Sequence, residues 1–193
     1  MTDPEPLIPK YGGHRKLKSF RMAQLVLDVT ALFCERYVDD EGGDADHMLQ
    51  AAERGALKIA EGSQAGEVSK KTERKLTSMA RLNLEELRRE FESLLRENEL
   101  PLWNPDDPRR NELTARRPTS LTDVEQWVDE TVNRGTMDEP DPDVVAWANG
   151  ALALIDIALS RLDRQLSAQT RVVEQEARVA DRLRRRRLAE WPE

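Results

Sequence analysis

The sequence predicts an all-α protein, and three observations carry that expectation. Charged residues make up 35% of the 193-residue chain and aromatics only 5%, with Ala, Leu, Glu and Arg recurring in a way that favours long helices over sheet. The ten prolines leave Lys10 to Leu100 and Asp143 to Trp191 uninterrupted. An interior proline removes a helical hydrogen bond and clashes with the preceding turn, so these two blocks are where helices run. Within both, apolar residues recur at steps of three and four. The 38% of hydrophobic residues is enough for one core and thin for two, so one compact domain is expected.

Residues 1–10 hold three prolines and two acids and no long apolar run, which reads as a flexible terminus without a signal peptide or membrane span. In the first helix Leu17, Phe20, Ala23, Leu27, Ala31, Cys34 and Val38 mark one apolar stripe, and Met22, Val26, Val29 and Phe33 mark a second beside it. Two stripes need two partners. The second, with Val29, is therefore expected to face a neighbouring subunit. Asp40 to Asp44, with Gly42 and Gly43, breaks this helix before a second one over about Asp46 to Glu61. There Met48, Ala52, Gly55, Ala56 and Ile59 permit close helix approach, and Gly62 is placed to end the helix in a left-handed conformation.

Ser69 is the expected N-cap of a third helix running to about Asn98, with Leu76, Ala80, Asn83, Leu84, Leu87, Phe91 and Leu94 inward. Residues 101–142 form a Pro/Asp-rich acidic insert with one short helix. Thr122 and Glu125 read as its capping box, Val124, Trp127, Val128 and Thr131 as its apolar face, and Arg134-Gly135 as its stop. From Asp143 a last helix carries Val144, Ala148, Ala151, Ile155, Leu159, Leu162, Leu166 and Val173 as a heptad-like stripe that continues more weakly through Ala180 and Leu183; residues 143–170 belong to the packed body, and the arginine-rich extension 171–193 should project or bend beyond it.

Reactive constellations are absent from this pattern. The lone Cys34 sits among apolar helical positions, as a buried thiol does in a reducing cytoplasm. His14 and His47 fall in separate segments without metal-ligand spacing, and Asp44, Asp46 and His47 read as a solvated cap. Gly62 to Lys71 lacks the order of a phosphate loop, and Glu61, Glu85 and Glu86 read as a solvated helix face. No catalytic residue, metal or cofactor is assigned. Glu61 at the end of the second helix and Lys70 and Lys71 at the start of the third are each unfavourable to their helix dipoles, so Glu61 is expected to pair with one of the lysines, with anion binding as the other reading.

The formal net charge of −7 disfavours nucleic acid and anionic membranes except at a local basic patch. One such patch lies between Arg161 and Leu188, which hold nine arginines against four acids, while Asn104 to Asp143 hold eleven acids against five arginines. The arginine tail thus has three readings: a solvated helix end, a partner of the acidic insert in its own or a neighbouring chain, or a phosphate-binding surface.

Leu57-Lys58-Ile59-Ala60-Glu61-Gly62-Ser63-Gln64, Ser69-Lys70-Lys71-Thr72-Glu73, Ala80-Arg81 and Leu84-Glu85-Glu86-Leu87, with Trp147 to Ile155 further on, resemble the family of proteins encoded in intervening sequences of bacterial large-subunit ribosomal RNA genes, in its "suffix" branch. The resemblance implies an up-and-down four-helix bundle, with residues 11–100 supplying three helices and 143–170 the fourth, and a ring-like homopentamer. Ile59, Ala60, Glu61, Gly62, Ser63, Lys70 and Lys71 are its structural motif. Related accessory proteins of diversity-generating retroelements bind nucleic acid and a reverse transcriptase through a basic surface; the acidic balance and acidic insert here depart from that pattern. The expected function is that of a non-enzymatic, oligomeric assembly or adaptor protein of the bacterial cytoplasm, with no membrane partner. The alternative is a nucleic-acid-binding accessory factor using Arg74, Arg81 and Arg88, spaced by seven, and Arg178, Arg182, Arg184, Arg185, Arg186 and Arg187.

Overall fold

The structure, a computed structural model, describes residues 13–38, 43–135 and 140–190, with side chains to Arg186. The expected flexible terminus at 1–10 and the break over Asp40 to Gly42 lie outside the described residues, as does the side chain of Arg187. What is described is all-helical. A 3-10 turn, Gly13–Lys16, precedes six helices: α1 Lys18–Tyr37, α2 Asp44–Ala65, α3 Lys70–Glu97, α4 Pro108–Arg116, α5 Leu121–Arg134 and α6 Pro142–Glu190.

The four long helices each pack on two others, α1 and α3 both lying between α2 and α6. Their shared core includes Phe33, Met48, Ile59, Leu84, Leu87, Phe91, Leu154 and Ile155. On α1 both stripes reach the core, the second throughout and the first only through Ala23 and Cys34. Met22, Val26, Val29 and Phe33, expected at a subunit boundary, are buried in the chain's own core, Val26, Val29 and Phe33 completely. Leu17, Phe20, Leu27 and Val38 are only half-buried at its edge, and Ala31 is exposed. The second stripe has no small residue among its four, so each of its side chains offers more area to bury than the alanines of the first, and it takes the centre.

Ser69 caps α3 as expected, its Oγ accepting from the Thr72 N–H at 3.2 Å. Its inner face is rotated slightly from the expected one, with Thr77 and Leu95 buried while Leu76, Asn83 and Leu94 are half-buried.

Residues 101–142 carry two helices where one is expected. The start of α4 is written in Asp107-Pro108: the carboxylate accepts from the Arg109 N–H at 2.9 Å, and proline occupies the first turn, where its missing N–H costs nothing. The capping box of α5 belongs to Ser120 and Asp123, two residues before the expected pair; Ser120 Oγ accepts from the Asp123 N–H and Asp123 Oδ2 from the Ser120 N–H. The apolar face of α5 is as expected, Val124, Trp127, Val128 and Thr131 being buried.

α6 is 49 residues long, roughly 74 Å at the ordinary helical rise. Residues 145–155 are buried all round, whereas from Arg171 to Arg186 only Val173 is even half-buried. By length and composition α6 could cross a bilayer, but 72% of its apolar window is buried within the molecule.

Candidate functional site

Of the residues singled out in the sequence, Ile59 and Gly62 are buried in the packing, while Lys71 and the described side chains of the arginine tail are exposed. Gly62 is helical and buried within α2, which continues to Ala65. A Cβ built on it would lie 3.3 Å from Leu76 Cβ and 3.4 Å from the Glu73 carbonyl oxygen, so the glycine allows α2 and α3 to touch. It does not turn the chain. Glu61 pairs with Lys58 at 2.6 Å and Lys70 with Glu73 at 3.1 Å. The expected Glu61–Lys70 or Glu61–Lys71 pair is replaced by these contacts one turn apart, in which each charge meets an opposite one without crossing between helices. Lys71 is exposed.

Arg74, Arg81 and Arg88 line one seam. Arg74 Nε donates to Thr170 Oγ1 at 2.9 Å, Arg81 Nε to Asp163 Oδ1 at 2.6 Å, and Arg88 Nε lies 3.7 Å from Asp156 Oδ1. Thr170, Asp163 and Asp156 are also spaced by seven, so two heptad rows running in opposite directions meet as a ladder between α3 and α6. Glu85 and Glu92 add a second carboxylate to Arg81 and Arg88.

Arg178, Arg182, Arg184, Arg185 and Arg186 are exposed on the projecting end of α6, and among them Arg185 pairs with Asp181 at 2.9 Å. Four of the acids between residues 104 and 143 pair with arginines outside the tail. Asp107 binds Arg109, Glu112 binds Arg116 and Arg134, Glu130 binds Arg116, and Glu125 binds Arg36. These guanidiniums hold Asp107, Glu112 and Glu130 below the usual carboxylate range through hydrogen bonds.

A buried polar knot fixes residues 101–110 to α6. Asn149 Oδ1 accepts from the Trp103 N–H at 2.8 Å while its Nδ2 donates to the Pro101 and Val145 carbonyls, both at 2.9 Å. Arg110, only 6% exposed, donates to the Trp103 carbonyl at 3.2 Å and to Asp156 Oδ2 at 2.6 Å, and the Arg109 guanidinium stacks 3.6 Å from the Trp103 ring centroid. The Trp147-Ala148-Asn149-Gly150 segment therefore works as a socket: Asn149 satisfies the incoming backbone, and Gly150 makes room for Trp127.

Below this knot, a cleft of about 850 Å³ opens between the start of α1, the turn joining α4 to α5, and the middle of α6. Lys18, Arg21, Arg117, Arg161 and Arg164 line it. No sequence argument grouped them, although Lys18 with Arg21 and Arg161 with Arg164 are each three apart, and so share a helix face. Arg117 closes α4 in the left-handed region, at φ 53°. Among the described residues no cluster of His, Cys, Asp or Glu could hold a metal ion. Cys34 is buried, and burial pushes its thiol up to about 11, which keeps it protonated and unreactive at neutral pH.

Comparison of the chain with protein-family models, with curated proteins and with solved structures returns no match.

Proposed function

We propose that the protein is a non-enzymatic assembly or adaptor protein of the cytoplasm, built as an up-and-down four-helix bundle with residues 101–142 inserted before the last helix. On this reading it belongs with the intervening-sequence family that its motifs resemble, and it assembles with copies of itself, as a pentamer on the strength of that resemblance. The observation that carries the assembly is the end of α6. Val172, Val179 and Leu183 are 41%, 48% and 52% exposed, at steps of seven and four that place them on one side of the helix. Most helical stability in proteins comes from tertiary packing of an apolar face, which this projecting part lacks within its own chain from Arg171 to Arg186 apart from Val173. The segment from Arg171 to Asp181 alternates acids and arginines, so copies can meet there before the arginine run begins. The test is light scattering on the full chain and on a chain ending at Val173. The full chain is expected to be oligomeric at micromolar concentration and the shortened one monomeric with its helical content per residue retained; a full chain that stays monomeric removes the reading.

A second reading, a nucleic-acid-binding accessory factor, is favoured by Arg178, Arg182, Arg184 and Arg186, which are exposed and have no carboxylate partner among the described residues. It calls for retention on heparin that falls steeply with salt and is lost when the arginines at 182, 184, 185 and 186 are replaced by glutamine.

A further inference from the structure

We propose that the cleft between α1, the α4–α5 turn and α6 is a binding site for a small, multiply phosphorylated anion, with Lys18, Arg21, Arg117, Arg161 and Arg164 as its phosphoryl contacts. The proposal goes beyond the assembly reading and does not depend on it. Its basis is a charge imbalance confined to one concavity. The cleft also contains Arg110 and Asp156, but these neutralise each other at 2.6 Å. The remaining five cations come from three separate stretches of sequence, and none has a carboxylate partner among the described residues.

That arrangement is selective. Elsewhere the arginines that bridge elements are mostly matched to acids, as Arg36 is to Glu125, Arg81 to Asp163 and Arg134 to Glu112, with Arg74 on Thr170 the exception. In a chain of net charge −7, five unmatched cations in one hollow repel one another unless an anion joins them. Arg161 registers the repulsion. Burial and the charges of Arg164 and Arg21 lower its proton affinity below that of an ordinary guanidinium, although it stays charged at neutral pH.

Two of the guanidiniums are also held in place. Arg161 Nη1 donates to the Lys18 carbonyl at 2.8 Å, tying α6 to α1, and Arg164 donates to the Ser160 carbonyl and Oγ at 3.2 and 3.3 Å. Each guanidinium has five N–H donors, so both keep free donors for phosphoryl oxygens. Pre-set donors bind an anion without the full cost of ordering long side chains.

The chemistry of the ligand follows from charge and shape. Five cations suit two or more phosphoryl groups better than a single phosphate. Met22 and Ile157 contribute apolar lining, and among the described residues no aromatic ring lines the cleft, so they offer no base stacking. The volume falls within the range of small-molecule sites, and a concavity bounded on three sides suits a compact ligand better than a long strand.

Isothermal titration of the full chain with inorganic tripolyphosphate at low salt tests the proposal. Saturable binding of one tripolyphosphate per chain is expected, with orthophosphate about tenfold or more weaker. The Arg161→Gln, Arg164→Gln double variant should weaken it by about tenfold or more. Arg89→Gln with Arg96→Gln removes the same charge from the exposed face of α3 and should leave affinity within about twofold, because distant surface charges are screened. Arg117→Gln, on the turn, provides an independent loss of affinity should the double variant unfold. Absence of saturable binding, or equal losses in the cleft and α3 variants, overturns the proposal. So does a single-stranded oligonucleotide that binds through the cleft arginines more tightly than tripolyphosphate, since the site would then be one for nucleic acid.

Discussion

Trp127 of α5 lies directly on Gly150 of α6: a Cβ built on the glycine would sit 2.7 Å from the indole Cζ3. Trp127 is completely buried, and its Nε1 has no acceptor among the described residues, so shape and not hydrogen bonding holds the ring. Trp103 meets it edge-on with centroids 6.2 Å apart, which leaves the ring little room to retreat. Gly150→Ala should therefore destabilise by about 1–2 kcal/mol, the overpacking cost exceeding the roughly 1 kcal/mol gained in helix propensity. Urea denaturation checks this, and combining Gly150→Ala with Trp127→Phe should lose less than the sum of the two single changes. An unchanged or more stable Gly150→Ala variant would mean that the contact is loose.

Val29 tests which stripe of α1 faces the core. With no exposed surface, it cannot accept an aspartate without burying an unpaired carboxylate, at a cost of several kcal/mol. Val29→Asp should unfold the chain at room temperature or nearly so, seen as lost helical ellipticity. A variant that stays folded and merely dissociates would return this stripe to a subunit boundary.

The helices were legible in the sequence because their signals are local: proline-free runs, the Ser69 cap, the Trp127 face. What escaped is where one helix meets another. Gly62 is read as a helix stop from its own residue type, but the first turns of α3 stand against it, and only the fold reveals that a Cβ would press on Leu76. The heptad spacing of Arg74, Arg81 and Arg88 is visible in the chain, yet its meaning lies in Thr170, Asp163 and Asp156, far along the sequence on α6. The short α4 has only a local start signal, Asp107-Pro108, within a proline-rich stretch that otherwise reads as loop. The basic cleft was hidden for the same reason as the ladder, its cations coming from residues 18–21, 117 and 161–164.

The Arg110–Asp156 pair should be asymmetric to mutation. Arg110 has a side chain 8% exposed, while Asp156 is 35% exposed and lies 3.7 Å from Arg88. Asp156→Ala leaves a buried guanidinium with only the Trp103 carbonyl and should cost about 2–3 kcal/mol, below the full buried-pair value because the partner is partly in water. Arg110→Met leaves Asp156 with solvent and Arg88, and should cost less. Paired unfolding curves decide it; an Arg110→Met variant less stable than Asp156→Ala would reverse the assignment of the buried charge.

Acid should act first on α4 and α5. Asp107, Glu112, Asp123 and Glu130 all have their proton affinity lowered in the fold: Asp107 chiefly by the Arg109 side chain, Glu112 by Arg134 and then Arg116, Asp123 by the Thr119 and Ser120 N–H groups and the Ser120 hydroxyl, and Glu130 by Arg116 and then Gln126. A carboxyl group that binds its proton less tightly when folded than when unfolded adds stability above the unfolded pKa, about 4. That contribution is lost as pH falls through the folded value. The melting temperature should thus be level from pH 7 to about 5 and fall below about 4. Because all four carboxylates lie between residues 107 and 130, Trp103 and Trp127 should report the change by near-ultraviolet dichroism before the far-ultraviolet helical signal falls. If the two signals fall together, α4 and α5 are as firmly coupled to the core as the long helices are to one another. A melting temperature that holds to pH 3 would show that these contacts add nothing to stability.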